Sequence, residues 1–87
     1  MKELILKYKP EPGIKYMIAV DGLEPTKQNS FTFLVGHKTE EGVIKIVESG
    51  TVFNDSSDTE IERMKQFNAY CKQLQEHYFV DKIWKEK

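Results

Sequence analysis

One helical stripe sets the terms on which this chain can fold. Ile61, Met64, Phe67, Cys71, Leu74 and Tyr78 recur at three- and four-residue steps, with Tyr70 on the shoulder. Glu62, Lys65, Gln66, Lys72, Gln73 and Glu76 take the opposite face. That spacing predicts an amphipathic helix over about Asp58–His77. Ser57 followed by Glu60 has capping-box spacing, and Asp58 competes for the same cap. A lone helix cannot bury its own stripe, so the rest of the chain must supply the surface that covers it. With 87 residues there is room for one small domain, 1–87, and no more.

The remaining apolar residues come in short runs, which predict strands. In Leu4–Lys9, Leu4, Leu6 and Tyr8 share one face, opposite Glu3, Ile5, Lys7 and Lys9. Pro10, Pro12 and Gly13 then break regular structure, as a hairpin loop or an extended lead-in. Tyr16–Val20 is apolar without alternation and stops at Asp21-Gly22, the pattern of a central strand covered on both faces. Ser30–Val35 is rich in aromatic and β-branched residues. His37–Gly42 reads as a hairpin turn, Val43–Val47 as its returning strand, and Gly50–Phe53 as an extension after a bulge. Phe79–Trp84 is either a short last strand or a helix end that packs Trp84. The expectation is an α+β fold: a three- to four-stranded, mostly antiparallel sheet with one helix on one face.

Composition removes several functions. There are 13 Lys and Arg against 14 Asp and Glu, a formal net charge of -1, which excludes the blanket basic footprint of a histone-like nucleic-acid binder. The one cysteine, Cys71, excludes an internal disulfide and a multi-cysteine zinc site. No apolar run approaches the ~18 residues that span a bilayer. No small-residue cleavage site follows Lys2 and Glu3, which predicts no secretion signal, a cytoplasmic location and no membrane partner. The five glycines are isolated, so no phosphate loop is present.

Asp21 is the most suggestive single residue. A carboxylate at the end of a central strand can be aimed into a cleft to hold Mg²⁺; the plainer alternative is that Asp-Gly starts a turn. The order of Tyr16–Asp21, a polar loop, Ser30–Gly36, a hairpin, Val43–Val47 and a capped helix resembles the first half of a ribonuclease-H-like nuclease domain of the phage terminase large-subunit type. Lys9-Pro-Glu-Pro-Gly13 is similar to the Pro-rich linker that precedes that domain. The resemblance implies a metal-binding Asp21, a parallel strand after the helix, and a second acid, Glu86, at that strand's end. It also implies a Mg²⁺-dependent nucleic-acid phosphodiesterase, or a fragment of one. The chain departs from the pattern in Gly22-Leu-Glu-Pro25 after the first acid and in Asn29 where an aspartate often stands. The family's third metal-binding acid belongs to a second half that has no counterpart here. Two-metal hydrolysis needs several convergent carboxylates, so the resemblance points to a half-domain used for binding.

Other candidates have plain readings. His77 in the last helical turn favours the helix dipole, His37 lies at a turn, and Cys71 on the stripe acts as a small hydrophobe. Lysines 2, 7, 9 and 15 with Lys82, Lys85 and Lys87 could line a phosphate-binding edge or simply guard a sheet edge. Ten aromatics are many for this length. Tyr8, Tyr16, Phe53, Tyr70 and Trp84 are the candidate partner-binding residues. The loop Gly22–Asn29 and the acids Glu40, Glu41, Asp55, Asp58, Glu60 and Glu62 would form a polar rim. Subtraction leaves a small non-enzymatic interaction module that needs no cofactor and binds another macromolecule, a protein first and a nucleic acid second. In general style it resembles small phage inhibitors or adaptors. Mg²⁺ enters only under the nuclease reading, with Asp21 and Glu86 as its ligands.

Overall fold

Alternation decides which side of each strand meets the helix. In the computed structural model, which describes residues 3–21, 30–55 and 57–85, strand β1 (Tyr16–Asp21) buries Tyr16, Ile18 and Val20 and turns Met17, Ala19 and Asp21 the other way. Strand β2 (Ser30–Lys38) buries Phe31, Phe33 and Val35 in the same manner. Strand β3 (Ile44–Phe53), helix α1 (Glu60–Tyr78) and strand β4 (Ile83–Lys85) complete the order. The sheet runs β3-β2-β1-β4. β1–β2 and β2–β3 are antiparallel, and β4 lies parallel to β1 with Ile18 opposite Ile83 and Val20 opposite Lys85. The helix thus returns the chain from one edge strand to the other, as a parallel pair requires. The fold is α+β, mostly antiparallel, with one helix among the described residues.

Val35 pairs with Glu48 and Gly36 with Ile46, so Val47 is the extra residue of a bulge. Glycine is needed opposite it. A Cβ at Gly36 would stand 2.7 Å from the Lys45 carbonyl oxygen. The expected return strand and its extension are therefore one ten-residue strand.

Three expectations are corrected. Leu4–Lys9 is not a strand. It is an extended arm with Leu4 buried and Leu6 and Tyr8 packed against the core. Side chains, not a ladder, satisfy its backbone. The Leu4 N–H donates to Gln73 Oε1 at 2.9 Å and Gln73 Nε2 donates to the Leu4 carbonyl at 2.7 Å. The Lys7 N–H donates to Glu48 Oε2 at 2.7 Å, and His77 Nε2 donates to the Tyr8 carbonyl at 2.7 Å. Second, the helix cap is Thr59, not Ser57 or Asp58. Thr59 Oγ1 accepts from the Glu62 N–H at 3.2 Å and donates to Glu62 Oε1 at 3.2 Å, a capping pair two residues further on. Ser57 and Asp58 are spent on a turn closed by Asp58 N–H on the Asp55 carbonyl and Ser57 N–H on Asp55 Oδ1. Third, the buried seam of α1 is Phe67, Tyr70, Leu74 and Tyr78. Ile61 and Met64 are exposed and Cys71 is half-buried. Tyr70 takes the place expected of Cys71 because its ring fits against Phe31, centroids 5.1 Å apart, beside the edge-on pair Phe31–Phe67 at 5.3 Å.

Candidate functional site

β1 is patterned for cover on both faces, and among the described residues only one face has it. The helix and the arm lie on the side of Tyr16, Ile18 and Val20. On the other side the strand pairings line up two rows of outward residues: Trp84, Ala19, Leu34 and Ser49 in one, Met17, Gly36 and Ile46 in the next. Met17, Leu34, Ile44, Ile46 and Trp84 are all exposed. Together they make an apolar stripe that crosses all four strands. A polar end flanks it, where Asp21 pairs with Thr32, and Thr32 Oγ1 lies 3.1 Å from Thr51 Oγ1. Isolated exposed apolar residues are ordinary, but a contiguous patch marks an interaction surface.

The stripe continues around the β4 edge. Met17 and Trp84 also line a notch of about 510 Å³ together with Pro10, Pro12, Phe79 and Val80. Phe79 ends the helix in the left-handed region, φ 56 and ψ 47, where glycine or asparagine is favoured. The residue is 88% exposed, so packing among the described residues does not repay that conformation. Lys82 Nζ sits 4.4 Å from the centre of the Trp84 ring, a cation–π contact on the same edge.

The candidate partner-binding residues divide. Trp84 and Phe53 are exposed. Tyr16 and Tyr70 are core residues, and Tyr8 is half-buried, so these three are corrected as surface anchors. They entered the core because the helix and arm needed large rings. Tyr16 lies 5.2 Å from Tyr78 and 6.0 Å from Tyr8, between centroids. The Glu11 N–H donates to the Tyr16 hydroxyl at 2.8 Å, and the Tyr78 hydroxyl donates to Glu48. Phe79 is the exposed aromatic that sequence reasoning did not single out. Its signal was a large apolar residue directly after the last helical turn.

The tyrosines carry the resolved electrostatic shifts. The hydrogen bond with Tyr16, more than burial, pushes Tyr8 up to about 12. Burial first, and then the bond to the Glu48 carboxylate, raises Tyr78. Burial and the nearby Asp58 raise Tyr70. All three stay protonated at neutral pH and serve as donors and packing surfaces.

Asp21 is exposed at the end of β1. Glu86 lies outside the described residues, as do Lys2, Lys87, Ser56 and the loop 22–29. The last described pair of the parallel ladder is Val20 with Lys85, the residues just before Asp21 and Glu86 in sequence. Among the described residues, no three of His, Cys, Asp and Glu converge as a metal site. His37 meets Tyr16 edge-on at 5.7 Å. The expected acidic rim does not assemble: Glu40 and Glu41 lie on the β2–β3 hairpin, while Asp55 to Glu62 lie beyond the other end of β3. Lys15 and Lys82 flank the notch, and Lys7 and Lys9 are on the arm. No helix among the described residues is long and apolar enough to cross a membrane. Compared with models of protein families, with characterised proteins and with solved structures, the chain matches none.

Proposed function

We propose that this chain is a small non-enzymatic binding module that docks a protein on the outer face of its sheet. One observation carries the reading: a central strand apolar on both faces is covered on only one by the described residues. Met17, Leu34, Ile46 and Trp84 form the apolar centre of the docking surface, and Phe79 extends it around the edge. The partner this surface fits is a protein with a complementary apolar patch, which gains by removing these side chains from water. The role this reading assigns is that of an adaptor or an inhibitor, of the phage or mobile-element kind. The test is capture followed by mapping. ¹⁵N-labelled chain is titrated with the captured protein, and shift changes are expected at Met17, Leu34, Ile46 and Trp84. Leu34→Lys should abolish capture. Changes confined to the solvent side of α1, or capture indifferent to Leu34→Lys, would sink the reading.

The nuclease reading keeps one supporting observation. The order β3-β2-β1-β4, with β4 parallel to β1, is the arrangement the ribonuclease-H-like resemblance implies. Asp21 with the Thr32 and Thr51 hydroxyls supplies oxygen donors of the type Mg²⁺ takes. Bound there, Mg²⁺ would polarise a phosphodiester, with Asp21 and Glu86 as its protein ligands. A Mg²⁺ titration followed by NMR on wild type and Asp21→Asn tests it. Saturable shifts at Asp21 that vanish in the variant support it, and their absence removes it.

A further inference from the structure

We infer that the N-terminal arm is exchanged between two copies of this chain, each arm seated on the helix and sheet of the other. The exchange involves no residue of the docking face proposed above. The arm, residues 3–9, carries the contacts of an inserted peptide. Leu4 is buried, and Tyr8 stacks on Tyr78 at 6.4 Å and meets Tyr16 edge-on at 6.0 Å. Gln73 holds the backbone at Leu4, Glu48 at Lys7 and His77 at Tyr8, each at least 41 residues away in sequence. Among the described residues the arm makes no backbone–backbone hydrogen bond. These contacts are indifferent to which copy supplies the arm, and the complement of the seat is the arm itself. What keeps the arm on its own chain is one short turn. Pro10 and Pro12 fix their own φ and confine Lys9 and Glu11 to extended backbone. The reversal of direction therefore falls on Gly13, at φ 82. Two hydrogen bonds close it: the Ile14 N–H on the Glu11 carbonyl at 3.5 Å, and the Glu11 N–H on the Tyr16 hydroxyl at 2.8 Å. Glu11, Pro12 and Gly13 are exposed and wall the notch of about 510 Å³ rather than pack in the core. Straightening at Gly13 breaks those two bonds and carries the arm away on a stiff spacer. An arm that leaves uncovers Tyr16 and Tyr78, which the arm of a second copy covers again. The exchange is reciprocal, so it closes as a two-fold dimer and leaves no seat empty.

A link this short gives the chain's own arm an effective concentration in the millimolar range, so the native chain should dimerise only near ~1 mM. Gly13→Ala moves the balance. No atom lies within 4 Å of a Cβ there, so the cost is the left-handed φ alone. Relief of that strain should tighten the dimer about tenfold for each hinge, and about a hundredfold for the pair. Gly13→Asn tolerates the left-handed region and should stay close to the native chain. Sedimentation equilibrium on the full chain from ~10 μM to ~1 mM reads all three. Circular dichroism confirms that each is folded. Should Gly13→Ala be unfolded, deletion of Pro12 and Gly13 removes the turn in its place, with the same outcomes. Isotope-filtered NOE spectra of mixed ¹³C-labelled and unlabelled chains then locate the arm, and contacts of Leu4 with Gln73 are expected between chains. A folded hinge variant that keeps a single-chain mass up to about 1 mM overturns the inference. So does a dimer whose Leu4 contacts to Gln73 stay within one chain, or one that Leu34→Lys abolishes, because that dimer packs face to face.

Discussion

Tyr8, Tyr70 and Tyr78 are held protonated beyond the ordinary tyrosine range for different reasons. For Tyr8 the main cause is the hydrogen bond shared with Tyr16; for Tyr70 and Tyr78 it is burial. The consequence is alkaline. An unfolded chain releases these protons near pH ~10, and the folded chain holds them to higher pH. Between those values the unfolded state binds fewer protons, so stability falls as pH rises. Below pH ~10 the contribution is constant; for Tyr8 it fades as pH passes about 12. Thermal melts should therefore be flat in this respect below pH ~10 and fall steeply above it. Absorbance at the tyrosinate band should show that most of the tyrosine signal appears only with unfolding. Tyr78→Phe should shallow the alkaline fall, since a hydroxyl held protonated by burial and by its bond to Glu48 is gone. Full ionisation near pH ~10 in the folded protein would contradict this account.

The helix was legible and its ends were not. Periodicity in the second half of the chain reports a helix reliably because 3.6-residue spacing has no other cause. Two overlapping capping patterns, Ser57 to Glu60 and Thr59 to Glu62, look alike in sequence; the one that wins is decided by the Asp55–Asp58 turn. Thr59→Ala should cost about 1 kcal/mol in urea unfolding, and Ser57→Ala a few tenths at most. Equal losses would mean the cap is shared. At the other end, Phe79→Gly removes an exposed ring and the left-handed penalty together. It should raise stability by about 1 kcal/mol while weakening capture of a partner on the proposed docking surface. A loss of stability would show that the ring packs in solution. The arm was misread for a related reason. Alternation of Leu4, Leu6 and Tyr8 reports an extended backbone, but not whether a strand or a helix lies beside it. Gln73, Glu48 and His77 decide that, and each is distant in sequence from the backbone it binds.

The outer face was half legible. Tyr16–Val20 announces two apolar faces, but a sequence cannot say which of them the helix and the arm will cover. Two layers form one core here, on the side of Ile18, Val35 and Leu74. The opposite side contributes exposed surface and little folding energy. Stability and binding should then separate cleanly. Leu74 is fully buried, and Leu74→Ala should cost about 2–5 kcal/mol through lost transfer energy and the cavity left behind. Leu34 sits one layer away on β2 and is nearly half exposed. Leu34→Lys should change stability by no more than about 0.5 kcal/mol, because both side chains meet water there. Denaturant unfolding by circular dichroism measures both, at dilute chain so that association does not add to stability. A cost above about 2 kcal/mol for Leu34→Lys would mean that the face is already covered in the isolated chain. The docking surface would then have to be sought at the Phe79 notch, whose apolar lining does not depend on Leu34.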